Sequence, residues 1–319
     1  MSRRQTEGTG FRYRPQLIAV LLLGVMAVSW SSGFIGYRYA ADQGGVMLAS
    51  FWRFLLAALI LLPWGLNAIR MLGWRQTVRQ SWGGVFAIAG FLTPIAKAIE
   101  WGLAPGLAAV IANLLPVAIV GLAMRLPDQQ TSRRQLAGLA VCLAGMLVSS
   151  FSDVMAQEGR YWLCLLPVLG VLSLAISSMG QRGEQQTAVP ALGVLFIQAT
   201  ATLPIFALLA WQEGSLAPVF TSGFISGVGW LALVSTLGGY GFYWICLRRY
   251  SMQTVSAALF LTPLITMLWA SIQFDEPLTH WGLAGSTLTL AGVWFFATRK
   301  RERPIPVVRE PASSPDLNA

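Results

Sequence analysis

The chain alternates long apolar runs with short polar breaks. The apolar runs cover residues 16–37, 46–64, 83–101, 104–124, 133–150, 161–180, 189–210, 223–247, 253–272 and 281–298. A helix that crosses the hydrocarbon core of a bilayer needs about 20 mostly apolar residues, and its backbone groups must be hydrogen-bonded within the segment. The pattern therefore predicts an all-α membrane protein with ten transmembrane helices.

The breaks between the runs carry charged and turn-forming residues, as in Asp42-Gln-Gly-Gly45 and Asp275-Glu-Pro277. The break at Leu103-Ala-Pro-Gly106 is the shortest, so the division between the third and fourth spans depends on it. Composition points the same way, because 55% of the residues are hydrophobic and only 11% are charged. A soluble domain has about 25% charged residues. This chain has too few to cover a water-exposed surface, so a soluble protein is excluded.

The net charge of +9 follows the predicted topology. If residue 1 is cytoplasmic and the chain has ten spans, 18 of the 22 Lys and Arg residues lie on the cytoplasmic side. Arg38 and Arg160 lie on the opposite side, and Arg53 and Lys97 fall within spans. This asymmetry is the positive-inside pattern of multi-pass membrane proteins. It predicts that both termini are cytoplasmic.

The positive charge does not indicate a nucleic-acid partner. Basic clusters that are separated by hydrophobic spans cannot form one binding face. The partner that the pattern predicts is the lipid bilayer. Residues 1–15 are predicted to form a cytoplasmic N-terminal tail. Residues 299–319, which are charged and rich in Pro and Ser, are predicted to form a disordered cytoplasmic tail.

An internal repeat links the two halves of the chain. Ala112-Asn-Leu-Leu-Pro-Val117 precedes Leu259-Phe-Leu-Thr-Pro-Leu264 by 147 residues, and the same offset aligns Gly138 with Gly285 and Gly145 with Gly292. A nearly constant offset over many residues indicates duplication. The predicted units are two five-helix repeats, residues 16–150 and 161–298.

The number of spans in each half determines their relative orientation. Five is odd, so the second half enters the membrane from the opposite side, and the repeats are predicted to be inverted. Inverted repeats recur in secondary transporters, where the solute binds near the midplane between the halves. The repeat therefore favours transport, although duplication can also leave such symmetry in a protein without that function.

The residues also resemble a known family. Ten predicted spans, two similar halves, the segment Trp52-Arg-Phe-Leu-Leu-Ala57 and the Pro-then-Gly pattern near the end of each half are similar to the EamA-type drug/metabolite transporter (DMT) superfamily. The resemblance covers about residues 17–298. It implies a cell inner (plasma) membrane exporter of amino acids or other small metabolites, and one branch of the family exports aromatic amino acids.

The halves differ from each other in residues that could contact a solute. Trp30 in the first span aligns with Ile176 in the sixth, and no arginine of the seventh span aligns with Arg53. If each half contributes a gate to the transport path, the two gates are therefore not expected to be chemically equivalent.

Ionisable residues within spans are the first candidates for function, because each costs about 2.5–3.5 kcal/mol on insertion scales. They are Arg53, Lys97 and Glu100, which the topology places at similar depth near the outer side. One hypothesis is a polar cluster that binds a carboxylate through Arg53 or Lys97, with Glu100 holding an amino group or a coupling proton. The alternative is a structural ion pair, with Lys97 extending to the interface.

Polar groups at helix interruptions and aromatic residues are further candidates for substrate binding or gating. Trp30 and Ser31 lie halfway along the first span, and Asn113 precedes Pro116. Tyr240, Tyr243 and Trp269 could form an aromatic pocket for a flat or cationic ligand. The alternatives are helix packing and an interfacial aromatic belt. Trp244 is assigned to that belt, together with tryptophans at span ends: Trp64, Trp74, Trp82, Trp211 and Trp281.

The sequence offers little for catalysis. It has a single histidine, His280, no pair of intramembrane carboxylates and no Walker A motif. We therefore expect no enzyme activity, no cofactor and no metal, and transport driven by gradients. The leading hypothesis is a secondary transporter that exports amino acids by alternating access. The alternatives are transport of another small solute, such as a nucleotide sugar or a drug, and a non-transporting membrane subunit or lipid-handling protein.

Overall fold

A computed structural model describes residues 14–103, 105–123, 133–151, 160–180, 189–274 and 278–297, and nearly all of them are helical, with no strand in these ranges. The predicted tails lie outside the described residues, except for residues 14 and 15. The α-helices are α1 Arg14–Gly44, α2 Val46–Gly84, α3 Gly90–Glu100, α4 Pro105–Ala112, α5 Leu115–Ala123, α6 Arg133–Ser149, α7 Leu165–Gly180, α8 Ala191–Gln212, α9 Ser222–Trp230, α10 Gly241–Arg249, α11 Met252–Leu259, α12 Thr262–Phe274 and α13 His280–Ala297.

Two π-helical segments interrupt these helices. The first π segment, Val85–Ala89, joins α2 to α3, and the second, Leu231–Tyr240, joins α9 to α10. A short 3₁₀ turn, Tyr161–Cys164, leads into α7.

Five helical segments within the described residues are long and apolar enough to cross a membrane. They are Leu17–Tyr37, Val46–Glu100, Tyr161–Gly180, Ala191–Gln212 and Ser222–Arg249. Shorter apolar helices cover Leu107–Ile119, Leu136–Ser149 and Ala257–Gln273. The prediction of a helical, multi-pass membrane protein is confirmed, and the count of ten crossings stays a prediction.

The segment Val46–Glu100 is long enough to cross twice. Its 55 residues extend about 80 Å at 1.5 Å per residue, more than twice the hydrocarbon core of about 30 Å. Gly73 interrupts the helical backbone within this segment, with φ 70° and ψ 170°. A positive φ is accessible to glycine without steric cost. The break lies between the second and third predicted spans.

The fourth and ninth predicted spans are each broken into two helices at the same repeat position. α4 and α5 are separated at Asn113-Leu114, and α11 and α12 at Phe260-Leu261. The two breaks are 147 residues apart, which is the repeat offset. Pro116 and Pro263 follow the breaks, and proline cannot donate a backbone hydrogen bond to the preceding turn.

The π segments also obey the repeat. Shifting Val85–Ala89 by 147 residues gives 232–236, which lies inside the second π segment. Two hydroxyls donate hydrogen bonds to backbone carbonyls of the first π segment. Ser173, on α7, donates to Phe86 O at 2.8 Å, and Tyr240, at the end of the second π segment, donates to Ala87 O at 3.3 Å. The altered backbone is therefore supported by specific partners in the core.

Glycines bring α6 and α13 into backbone contact. A Cβ atom built on Gly285 would lie 2.4 Å from Gly145 O, and one built on Gly292 would lie 2.9 Å from Gly138 O. As the residue number rises along α6, the partner's number falls along α13, so the two helices are antiparallel. Exchanging the repeats turns one of these contacts into the other. A pseudo-twofold axis therefore passes between α6 and α13.

The same axis relates the contacts at the centre of the bundle. α1 packs against the second π segment through small residues, with Gly33 facing Ser235 Oγ and Ser29 Oγ facing Gly238. α7 packs in the equivalent way against the first π segment and α3. All five elements contribute residues to the larger buried apolar cluster of the described part of the chain.

The tryptophans at span ends point outward, as predicted for a belt: Trp64, Trp74, Trp82, Trp211 and Trp281 are all exposed. The assignment of Trp244 to the belt is wrong, because its side chain is buried against Tyr243, with ring centroids 4.9 Å apart. Its place within one turn of the charged Arg248 suggested an interface, but the helix turns this ring toward the core.

Replacing Gly285 with alanine is expected to destabilise the protein, because the added methyl group would meet backbone atoms at 2.3–2.4 Å. Overpacking of this kind costs about 1–3 kcal/mol. Thermal unfolding in detergent, followed by tryptophan fluorescence, should show a lower Tm. Gly24→Ala is the matched control, since nothing lies within 4 Å of its added carbon. Equal Tm values for the two variants would contradict the close approach of α6 and α13.

Candidate functional site

Arg53 is fully buried, with 1% of its surface exposed, on the second turn of α2. Its Nε donates to Thr236 Oγ1 at 2.6 Å, and its Nη2 donates to Ser235 Oγ at 3.0 Å. Its Nη1 is buried and makes no hydrogen bond within the described part of the chain. The guanidinium thus has one nitrogen without a hydrogen-bond partner among the described residues.

The second π segment supplies both hydroxyls that hold the guanidinium. Thr236 Oγ1 also donates to Leu231 O at 2.9 Å, five residues back, which is the π-helical spacing. Successive residues 235 and 236 can both face Arg53 because the widened turn rotates them toward α2. Gly33 makes room for Ser235, since a Cβ there would lie 2.6 Å from Ser235 Oγ.

Two aromatic rings also lie close to Arg53. The guanidinium carbon lies 5.5 Å from the centre of the Tyr37 ring and 4.9 Å from that of Phe54. The faces of such rings attract cations. Tyr37 is itself held by a 2.7 Å hydrogen bond to Ser50 Oγ. Hydroxyls and rings lower the energy of a buried cation, but they do not neutralise its charge.

Trp30 forms an aromatic cluster with three other rings near the middle of the bundle. Its ring centroid lies 5.1 Å from Tyr240, 5.3 Å from Tyr243 and 6.1 Å from Phe91. Tyr240 lies one turn from Thr236, the hydrogen-bond partner of Arg53, on the same π segment. The aromatic cluster therefore begins about one helical turn from the Arg53 site. Tyr243 is anchored by a 2.8 Å hydrogen bond between its hydroxyl and Ser178 Oγ.

Ser31 and Asn113 connect the first span to both helix breaks. Ser31 Oγ hydrogen-bonds to Ala27 O at 2.8 Å and to Thr262 O at 3.2 Å. Thr262 Oγ1 in turn donates to Asn113 Oδ1 at 2.6 Å. The two breaks therefore meet each other, and α1 touches the junction.

Lys97 lies in an ion pair at one end of the bundle. Its Nζ is 2.6 Å from Glu100 Oε2 and also contacts Glu213, at the end of α8. The side chains of Lys97 and Glu213 are 21% and 22% exposed. No hydrogen bond or ion pair among the described residues joins this cluster to Arg53. Lys97 and Glu100 are therefore neighbours, as expected, but the structure does not join all three ionisable residues.

The predicted aromatic residues divide into two groups. Tyr240 and Tyr243 meet Trp30, whereas Trp269 packs edge-on against Trp230, with ring centroids 5.7 Å apart. Trp230 donates from Nε1 to Ser32 O at 3.2 Å. Trp269 thus belongs to a separate contact between α9, α12 and α1.

Sequence reasoning missed the residues that hold the candidates in position. Ser235 and Thr236 were hidden in an apolar run, although two adjacent hydroxyls within a span were a usable signal. The contact of Glu213 with Lys97 was also missed, because the two residues are 116 positions apart and nothing in the sequence links them. Among the described residues, no group of three His, Cys, Asp or Glu side chains could hold a metal.

The sequence pattern of one family, described as the EamA-like transporter family, matches residues 17–151 and 161–298. The chain belongs to the EamA-like transporter family. The two matched segments show that this transporter contains the family's unit twice, and the resemblance predicted from the sequence is confirmed.

Relatives of this EamA-like transporter include proteins named for export. It is 27% identical to a "Probable amino-acid metabolite efflux pump" of Salmonella typhimurium, over 62% of this chain and 69% of the relative. A protein of the same name from Escherichia coli is 24% identical over the same shares. An "Uncharacterized transporter" of Archaeoglobus fulgidus is 23% identical over 88% of this chain and 98% of its own length.

The fold of this transporter also occurs among solved structures. One crystal structure matches with a TM-score of 0.70 and 20% identity, covering 88% of this chain and 96% of the other. At this identity the likeness shows a shared fold. Membership of the family makes this protein a membrane transporter that handles a small-molecule solute.

Replacing Thr236 with valine removes the hydroxyl that holds Arg53 Nε. A hydrogen bond to a buried charged group contributes about 1.5–3 kcal/mol, so the free energy of unfolding should fall by about that amount. Thermal unfolding in detergent measures the change. Ser226→Ala is the matched control on α9, because the hydroxyl of Ser226 is exposed and bonds to its own helix. A smaller loss for Thr236→Val than for Ser226→Ala would exclude this role.

Proposed function

We propose that the protein is a secondary transporter of the cell inner membrane that exports small metabolites by alternating access. Amino acids are the leading substrate class. The observation that carries the proposal is Arg53, a buried guanidinium whose Nη1 makes no hydrogen bond to any residue that the structure describes. In a transporter, an ionisable residue with an unused donor inside the membrane is a candidate solute site.

A carboxylate fits the unused edge of Arg53. Guanidinium and carboxylate form short, charge-assisted hydrogen bonds, which are roughly twice as strong as bonds between neutral groups. The two hydroxyl partners fix the orientation of the guanidinium, so little conformational entropy is lost when the solute binds. A solute carboxylate would also neutralise the buried charge, which neither Thr236 nor Ser235 can do.

The aromatic cluster supports a flat or apolar side chain on the solute. Trp30, Tyr240 and Tyr243 begin one turn from Arg53 and present ring surface toward the centre of the bundle. Aromatic pairs prefer tilted or offset contacts with centroids 4.5–7 Å apart. We therefore include aromatic amino acids within the leading class.

Pseudo-twofold packing supports alternating access between the halves. Inverted repeats let each half adopt the conformation of the other, so that a midplane site faces the two sides in turn. The helix breaks at Asn113 and Phe260 and the two π segments lie at equivalent positions. Broken helices and π-helical turns are frequent at functional sites and hinges. We assign these four interruptions to the bending that exchanges the two states.

Lys97 and Glu213 lie on opposite halves, so their ion pair is a candidate closure of one side. With both termini cytoplasmic, this end faces outward. We propose that the pair is formed when the outer side is closed.

Two alternative functions make different predictions. A transporter of nucleotide sugars or drugs would exchange those solutes in place of amino acids. A non-transporting subunit or lipid-handling protein would exchange none. Family membership and the names of relatives favour transport, and Arg53 favours a solute with an acidic group.

Arg53→Ala is expected to reduce counterflow of radiolabelled amino acids in proteoliposomes by at least about tenfold, because the carboxylate loses its partner. Arg53→Lys should fall between the wild type and alanine, since it keeps the charge but not the planar geometry. Arg160→Ala, an exposed arginine of the connecting loop, is the control. Wild-type exchange by a folded Arg53→Ala protein would make Arg53 purely structural.

Linking the proposed outer closure should stop transport reversibly. Lys97→Cys and Glu213→Cys are combined in a background without Cys142, Cys164 and Cys246. A short bis(methanethiosulfonate) reagent joins the two thiols through disulfides, which reduction cleaves again. Counterflow should be lost after treatment and return after reduction. Full activity of the cross-linked protein would argue against movement at this contact, and each single-cysteine variant serves as control.

A further inference from the structure

Arg53 is the one charged side chain among the fully buried residues that the structure describes. The described groups that contact it are neutral: two hydroxyls, from Ser235 and Thr236, and the rings of Tyr37 and Phe54. Within the described residues, this buried site therefore carries a net charge of +1.

The carboxylates that the structure describes near one end of the bundle are committed elsewhere. Glu100 and Glu213 both pair with Lys97, and all three are partly exposed. A solute ammonium at the Arg53 site would thus meet only hydroxyls and ring faces among the described groups, and these groups already contact the guanidinium. An uncompensated charge in a low-dielectric interior is strongly unfavourable.

We propose that this site recognises its solute as a net organic anion, with the carboxylate on Arg53 and no acidic side chain of the described residues beside it to hold an ammonium. The inference rests on the proposed function and defines its substrate class more narrowly. Carboxylates that lack a free amine, such as N-acyl amino acids, bind more tightly than zwitterions of the same shape. A bound monoanion neutralises the site, whereas a zwitterion leaves it with the charge of +1.

Transport of an anion has an energetic consequence. The net charge moved in one cycle is that of the solute, whatever the position of Arg53, because the protein returns to its starting state. An inside-negative membrane potential therefore drives the anion outward, by about 50-fold in concentration ratio per 100 mV. Export then needs no coupling ion, and Glu100, which is paired with Lys97, is not required as a proton carrier.

The test uses three probes with the same aromatic side chain in proteoliposomes of the full-length protein. They are N-acetylphenylalanine, phenylalanine and phenethylamine, which at neutral pH are an anion, a zwitterion and a cation. Competition against counterflow gives their relative affinities. A potassium gradient with valinomycin sets the potential, and protein-free liposomes measure passive leak.

N-acetylphenylalanine is expected to compete at least about tenfold better than phenylalanine, and its flux should change with the imposed potential while that of phenylalanine does not. Equal or stronger competition by phenylalanine would overturn the inference and leave the proposed function intact. Preferential binding of phenethylamine would overturn it as well. If no amino acid or carboxylate were exchanged, the proposed function would fail together with the inference.

Variants separate Arg53 from other basic residues. The ratio of anion to zwitterion affinity should fall to near one in Arg53→Met and be largely kept in Arg53→Lys. Thr236→Val, which leaves the charge but loosens its position, should lower the ratio partially if Arg53→Met does not fold. If the ratio instead collapses in Lys97→Gln and survives in Arg53→Met, the anion binds at Lys97 and the inference is wrong.

Discussion

The buried charge of Arg53 is the constraint on which the rest of the centre depends. A buried cation is stable only if other groups replace the water around it. Here two hydroxyl oxygens accept hydrogen bonds from the guanidinium, and two aromatic rings lie against it. Both hydroxyls come from one π segment, whose widened turn presents adjacent residues on one side. The segment can approach only because Gly33 lacks a side chain. Backbone irregularity, small residues and buried charge are thus parts of one arrangement.

The repeat accounts for the scaffold but not for the chemistry. Contacts between α6 and α13, the two helix breaks and the two π segments all recur at an offset of 147 residues. Duplicated packing supports the exchange of conformations that we propose, because equivalent surfaces already fit each other. Arg53 has no counterpart in the second half, so the proposed solute site is asymmetric. Symmetry in packing and asymmetry in charge are compatible, because packing tolerates local substitution.

Much of the fold follows from the sequence, since apolar runs and their breaks correspond closely to the observed helices. The division at Leu103–Gly106 is confirmed, because α3 ends at Glu100 and α4 begins at Pro105. The π segments were not predicted, and the first of them depends on hydroxyls of Ser173 and Tyr240, which are distant in sequence. Arg53 was identified from its charge alone. Its partners Ser235 and Thr236 were not identified, because they are distant from Arg53 in sequence and their hydroxyls are only weakly polar.

The two ends of the bundle are held by different kinds of contact. This difference affects the balance between the two states of the transport cycle that we propose. At one end Lys97 joins Glu213 in a partly exposed ion pair, and such pairs contribute about 0–1 kcal/mol and weaken with salt. Toward the other end, Tyr243 and Trp244 are buried and held by packing and by Ser178. Packing of this kind is insensitive to salt. Under the alternating-access mechanism that we propose, ionic strength on one side of the membrane therefore acts on the ion pair and not on the buried aromatic contact. The ratio of the two proposed states then responds to the medium although the scaffold is pseudosymmetric.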